Sequence, residues 1–374
     1  MSTGSERAVS AERRAGAGFR PTWVEIDTRA FAANVDRLAA MLPDGSRLVA
    51  VLKADAYGHG AVELARVCKP ERVAMIGTAL LEESLALRDA GIDLPLLVLG
   101  PMDDDAIATA VRAGITPGIP GPEALAAAGR VARERDVHIH LKLDSGMGRM
   151  GVVEGELRSV AELIRSSPRL HIDAIYTHFA SADEDDAFTD AQIANFDRML
   201  TALRELGIDA PLHHLANSAA TLRGRVRPGD FVRCGIALFG AASASPHLEP
   251  VMRWRTEIAR LKDLPAGHAI GYGTTFHTTR PSRIATLPVG YADGYSRLLS
   301  NRGEVLVRGR RVPVVGRVSM DLVTIDVTDV EAAVGDEVVL LGDGITAEEL
   351  AAKTDTISYE VFCRVSRRVP RLYA

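Results

Sequence analysis

Cysteine is scarce in this chain. Cys68, Cys234 and Cys363 lie far apart, form no C-x-x-C pair and match no zinc-ligand spacing. That excludes a disulfide-stapled secreted scaffold and reads as reduced thiols in a cytoplasmic protein. Long hydrophobic runs are missing too: no stretch is apolar over the roughly 18 residues a membrane-spanning helix needs. Charge of one sign is not in excess. A net charge of -5 over 374 residues is no electrostatic footprint for nucleic acid. No repeat of fixed period is present, and only residues 1–20 are compositionally biased, toward Ser, Gly, Ala, Glu and Arg. Without an apolar central region they read as a disordered leader, not a secretory signal.

What remains is an ordinary globular composition, 47% hydrophobic and 25% charged, at a length that predicts two domains. Order begins at Thr22. Trp23 to Ile26 reads as a strand, and Asp27 or Thr28 caps a helix to about Met41 with Phe31, Val35 and Leu38 on one face. Apolar runs then recur near 47–53, 73–78, 95–99, 115–119, 137–143, 171–178, 211–215 and 231–235. Helical patterns fill the gaps near 60–69, 80–90, 103–113, 121–135, 155–166, 187–206 and 217–223, and Gly91, Gly114 and Gly207 stand where helix C-caps belong. Strands in strict alternation with helices predict an α/β fold with a (β/α)8 barrel over 27–250, an open doubly wound sheet being the alternative. After Pro250 the helical period fades. Strand-like runs such as Arg283 to Val289, Glu304 to Val307 and Glu337 to Leu341, separated by glycine and proline, predict a mostly β domain over 251–374 with one short helix near 346–353 and a tail.

The chemistry starts at Lys53. It ends the apolar run Leu48 to Leu52 and opens a polar, glycine-rich segment holding Tyr57 and His59. A buried or crowded lysine gives up its proton more easily and can condense with a carbonyl group; a solvated strand-end lysine fits the same position. In a barrel the active site lies at the carboxyl ends of the strands. The polar residues there are Lys53, Asp144 with Arg149, His178, Asn217 with Ser218, and Arg233 with Gly235. Asn217 and Ser218 open a helix, and Gly235 and Ile236 offer free backbone amides, both suited to phosphate. A lysine amine with a phosphate cradle points to pyridoxal phosphate.

Other motifs carry less. Gly146, Gly148 and Gly151 spell G-x-G-x-x-G, a weak dinucleotide signal when alone. His138 with His140 and His213 with His214 lack a carboxylate or cysteine at ligand spacing and read as structural, so no metal is expected. The acidic run Asp183 to Asp186 reads as a solvated helix cap, and Cys234 as a packing residue.

Eight motifs in order resemble the alanine racemases, fold-type III pyridoxal phosphate enzymes. They are AVLKADAYGHG at 50–60, LKLDSGMGRMG at 141–151, THFASADE at 177–184, ANSAAT at 216–221, RCGIALFG at 233–240, LPVGYADGY at 287–295, VGRVSMD at 315–321 and SYE at 358–360. The resemblance implies a cofactor-binding barrel followed by a β domain, with the strand at 22–26 packed in the latter. It implies that Lys53 holds the cofactor and is one base, and that Tyr291 is the other, with His178 and Arg233 as its partners toward the ring nitrogen. Tyr57, Ser218, Gly235, Ile236 and Tyr359 are implied as phosphate contacts, with Asn217 beside them. Arg149 and the Met320 backbone are implied as the substrate-carboxylate site. Lys142 matches a lysine that many relatives carry as a carbamate, a Lys142–Asp144 pair being the plainer alternative; Asp321 shapes the pocket entrance. Tyr291, Met320 and Asp321 would come from the other subunit of an obligate homodimer. The implied activity is interconversion of L- and D-alanine for peptidoglycan. A racemase of serine or of broad range, and a non-racemizing pyridoxal phosphate barrel, stay as alternatives.

Overall fold

The strand at the start of the described chain, β1 (Thr22–Ile26), alternates little and is buried along nearly its whole length. It is sandwiched in a sheet. It pairs antiparallel with Met252–Glu257 and parallel with Arg371–Tyr373. The structure is a computed structural model, and it describes residues 19–241 and 247–374. The expected leader therefore lies outside the described residues apart from Phe19 and Arg20.

The apolar runs that follow become parallel strands, because uninterrupted Val, Ile, Leu and Ala can be dried on both faces at no polar cost. They are β2 (Arg47–Val51), β3 (Val73–Thr78), β4 (Leu96–Val98), β5 (Thr116–Ile119), β6 (Val137–Lys142), β7 (Leu170–Tyr176), β8 (Leu212–His214) and β9 (Phe231–Cys234). Their order in the sheet is β8-β7-β6-β5-β4-β3-β2-β9, so the first and last barrel strands are neighbours. The remaining joint, between β8 and β9, is bridged by Arg233 N–H donating to Ala216 O at 2.9 Å. This is a nearly closed eight-stranded barrel and not an open sheet. Helices return the chain between strands, and three are started by side-chain caps: Asp103 and Asp185 accept the N–H of Ala106 and Phe188, and Asn217 that of Ala220. Asp185 belongs to the acidic run, which acts as a cap.

Two compact units are distinguished: residues 32–56 with 61–248, and residues 19–31 with 57–60 and 249–374. The second is mostly β. Its six-stranded sheet runs Arg310–Pro313, Glu304–Val307, Glu337–Leu341, Met252–Glu257, β1, Arg371–Tyr373. A three-stranded sheet joins Arg260–Leu264, Ser282–Leu287 and Val323–Asp326. The segment expected to be a tail holds a helix, Ser358–Cys363, and the edge strand Arg371–Tyr373.

Candidate active site

Lys53 does not lead into an ordinary loop. Residues Lys53–Gly58 form one helical turn, and Ala54, Asp55, Ala56 and Tyr57 all have φ of 53–54°. This is a left-handed turn. For L-residues it costs about 1–2 kcal/mol each, so contacts must impose it. Glu83 Oε1 accepts the Ala54 N–H at 2.6 Å, Leu52 O accepts that of Ala56 at 2.8 Å, and Asp55 Oδ1 accepts that of Ala61 at 2.8 Å. Strain of this size gathers at functional sites. Of the two readings of Lys53, a buried amine and a solvated strand-end residue, its exposure fits the second. The buried lysine is Lys142, at 6% exposure.

Inside the barrel, Arg233 is the hub. Its Nη1 donates to His214 O at 2.6 Å and to His214 Nδ1 at 2.9 Å. Its Nη2 donates to Thr177 O at 2.5 Å and, at 3.2 Å, to Leu215 O and His178 Nδ1. A guanidinium has no acceptor, so both imidazoles must accept at Nδ1 and carry their protons on Nε2. His214 Nε2 then donates to His140 Nδ1, 3.0 Å away. Burial drives this neutrality. His140 is lowered to about 4, and His178 and His214 fall well below the usual histidine range, with Arg233 adding to the burial effect on both. Arg233 is lowered by burial to about 10 and stays charged at neutral pH.

Cations converge above this hub. Lys142 is brought down to about 8 by burial first, then by Arg149 and Arg233, with Lys53 adding and Asp144 opposing. The same four cations depress His178. Among the described residues no carboxylate comes within ion-pair distance of Lys142, so the Lys142–Asp144 pair is not formed. Asp144 is engaged elsewhere: its Oδ1 accepts the amides of Gly146, Met147 and Gly148 at 2.9, 2.8 and 3.1 Å. That wraps the chain beneath exposed Arg149. Gly151, at φ 130°, closes the wrap where a Cβ would stand 2.5 Å from Asp144 N. The G-x-G-x-x-G spacing serves this turn.

The free amide expected at Gly235 is also corrected. It donates to Ser218 Oγ at 3.0 Å, and Ala237 N lies 3.4 Å from the same oxygen. Ser218 therefore accepts amides and has a proton to give. Asn217 caps the helix that begins at Ser218.

Five of the predicted positions belong to the mostly β unit. Tyr57 and Tyr359 meet there with ring centroids 5.9 Å apart. Tyr291 opens a 3-10 turn, Tyr291–Asp293, whose backbone is tied to its neighbours: Tyr291 N to Ser319 O and Ala292 N to Met320 O, both at 3.0 Å. The side chains of Tyr291 and Met320 are 42% and 53% exposed. Asp321 pairs with Arg368 at 2.7 Å.

Residues 26–243 match the family model described as alanine racemase, N-terminal domain, and residues 251–373 the alanine racemase, C-terminal domain. The chain belongs to the alanine racemase family. It is 41% identical to the alanine racemase of Halothermothrix orenii over 95% of this chain and 97% of that one. The alanine racemase of Bacillus anthracis with bound L-Ala-P superposes with a TM-score of 0.88 at 37% identity, covering 95% of each chain. That of Bartonella henselae, with covalently bound pyridoxal phosphate, does so at 0.87 and 28% identity, over 95% and 100%. The family is one of pyridoxal phosphate-dependent isomerases.

The residues present fit such a cofactor. A cluster of four cations with one nearby carboxylate is unfavourable unless anions enter it; a phosphate and a substrate carboxylate would supply them. Sequence reasoning missed Glu83, Tyr176, His140, His214 and Asp293. The histidine pairs were visible but read as structural, and only contact across the barrel ties one member of each, His140 and His214, to Arg233.

Proposed function

We propose that this protein interconverts L- and D-alanine by a two-base mechanism in a homodimer with shared active sites, supplying D-alanine for peptidoglycan. The observation that carries the reading is the lysine-arginine cluster over a hub of neutral histidines, in a chain with this family membership. Lys53 would hold pyridoxal phosphate. Ser218, the Gly235–Ile236 segment, Tyr57 and Tyr359 would hold its phosphate, and Arg233 would face its ring nitrogen. Bound pyridoxal phosphate supplies an electron-withdrawing ring that acidifies the Cα–H of an attached amino acid.

The chain's own residues do the rest. Arg149 and the Met320 backbone bind the substrate carboxylate, for which a planar guanidinium fork is suited. The Lys53 amine exchanges a proton on the D face and the Tyr291 phenol on the L face. An unperturbed phenol has a pKa of about 10 and is a poor base at neutral pH. The Nε2–H of neutral His178 would donate to the Tyr291 oxygen, the partnership the family resemblance implies. Arg233 cannot readily surrender a proton, so facing the ring nitrogen it would leave the bound cofactor a weaker electron sink. Lys142 as a carbamate would give Arg149 an anionic partner.

The test is L-alanine turnover in deuterated water with chiral product analysis, for wild type, Lys53→Ala and Tyr291→Phe. Deuterated D-alanine from wild type and almost none from either variant is expected. Exchange of serine but not alanine, or cofactor binding with no exchange, would overturn the assignment.

A further inference from the structure

Tyr291 and Met320 are exposed within the single chain, so what aims them from their own chain is the backbone beneath. That backbone rests on a buried charge. Asp293, the last residue of the Tyr291 turn, is 0% exposed, and its Oδ2 accepts the Gly290 N–H at 3.0 Å. Arg20 closes on it in a two-pronged clamp, Nη1 to Oδ2 and Nη2 to Oδ1, both 2.7 Å. Arg368 Nε lies 3.6 Å from Oδ1, and its Nη2 reaches Asp321 Oδ1 at 2.7 Å. Arg20 Nη2 also donates to Arg368 O at 3.3 Å. Two guanidiniums and two carboxylates thus form a chain whose charges cancel, joining the turn of Tyr291 to that of Met320.

The clearances are narrow. A Cβ on Gly290 would stand 2.3 Å from both Ser319 O and Met320 O. The two turns cannot shift independently. A buried carboxylate left with fewer partners recruits water or moves, and any movement of Asp293 is passed through Gly290 to the neighbouring tyrosine.

We propose that Asp293, clamped by Arg20 and Arg368, is the positioning residue that aims Tyr291. This rests on the reading of Tyr291 as the base on the L face. Arg20 precedes β1, so a residue 273 positions from Asp293 sets the geometry of the base.

The experiment uses the holoenzyme and four variants: Arg20→Ala, Arg20→Lys, Asp293→Asn and Tyr291→Phe. Enantiomers have equal free energy, so kcat/KM must fall equally in both directions, and the asymmetry appears in the isotope effect. Arg20→Ala is expected to lower kcat by about 10–100-fold with KM changed less than about threefold. The primary deuterium isotope effect should rise with 2-deuterated L-alanine and fall with the 2-deuterated D enantiomer, whose transfer at Lys53 becomes a reversible pre-step. Arg20→Lys should recover part of the rate. A second readout needs no turnover: the Tyr291 ring-carbon signal in 13C-tyrosine-labelled protein, identified by its loss in Tyr291→Phe, should shift in Arg20→Ala while the melting temperature holds. Asp293→Asn should act in the same sense; if it fails to fold, Arg20→Ala decides alone. Wild-type isotope effects and an unmoved Tyr291 signal in Arg20→Ala, with Tyr291→Phe inactive, would overturn this proposal alone. A fully active Tyr291→Phe would overturn the underlying reading and this proposal with it.

Discussion

The imidazole of His214 lies flat against the phenol of Tyr176, ring centroids 4.6 Å apart and planes 4° from parallel. The guanidinium of Arg233 sits 5.3 Å from the same phenol centroid. A neutral imidazole stacked on an aromatic ring has one orientation in which to meet Arg233 and His140 at once. The stack therefore holds the hub still and fixes the plane of the Arg233 guanidinium. Burial raises the Tyr176 phenol to about 12, so it stays neutral and does not compete as an anion.

Stability should fall on the acid side of neutrality because of His140. Its folded pKa, about 4, is below the ordinary 6.5. Above 6.5 both states carry it neutral and it adds no pH dependence. Between 6.5 and about 4 the unfolded chain takes a proton the folded one refuses, so stability drops as pH falls and the loss is complete below about 4. The full effect is on the order of 3 kcal/mol. His140→Gln should flatten urea-unfolding free energy against pH in that window; an unchanged slope would count against it.

Arg233→Met should be severely destabilising. It removes the guanidinium donors from the buried carbonyls of Thr177, Leu215 and His214, of which His214 O keeps the Thr177 N–H at 3.3 Å. A loss of about 3–5 kcal/mol is expected by denaturant unfolding. A loss under about 1 kcal/mol would mean the carbonyls find water or new donors.

Asp144→Ala should loosen the three-amide wrap beneath Arg149. With Arg149 as the carboxylate ligand, the expected result is a KM for L-alanine about tenfold higher, equivalent to about 1.4 kcal/mol, with kcat less affected. Equal KM values would sever Asp144 from substrate binding.

Lys142, at about 8, has about a tenth of its amine neutral at pH 7. Neutral amines add carbon dioxide, and the resulting anion would sit among Arg149, Arg233 and Lys53. Protein equilibrated with 13C-bicarbonate should show a carbamate carbonyl signal that Lys142→Arg abolishes. A signal that survives the substitution would place the carbamate elsewhere.

The proposed sharing of active sites between subunits makes a mixing prediction. Lys53→Ala and Tyr291→Phe, each inactive alone, should regain activity when refolded together, because a mixed dimer pairs intact Lys53 of one chain with intact Tyr291 of the other. Random pairing yields about a quarter of wild-type activity. No recovery, with mixed dimers verified by mass, would mean each chain builds its site alone.

Much of this protein was readable one segment at a time. Strand burial on both faces and helix amphipathicity are local periodicities, so the alternation to residue 235 declared the barrel, and Glu304–Val307 and Glu337–Leu341 declared β strands at their observed bounds. Lys53, Arg149, His178 and Arg233 followed from strand ends, where barrels keep their chemistry. Tertiary structure alone decided the rest. No propensity favours four left-handed L-residues after Lys53; Glu83, arriving from another βα unit, helps impose them. The neutrality of His140 and His214, 74 residues apart, comes from burial together and from facing Arg233. The clamp of Arg20 on Asp293 joins residues 273 positions apart. Periodicity and caps are carried by neighbours in sequence, whereas desolvation, strain and buried ion pairs depend on what folding brings around a residue, and those set its reactivity.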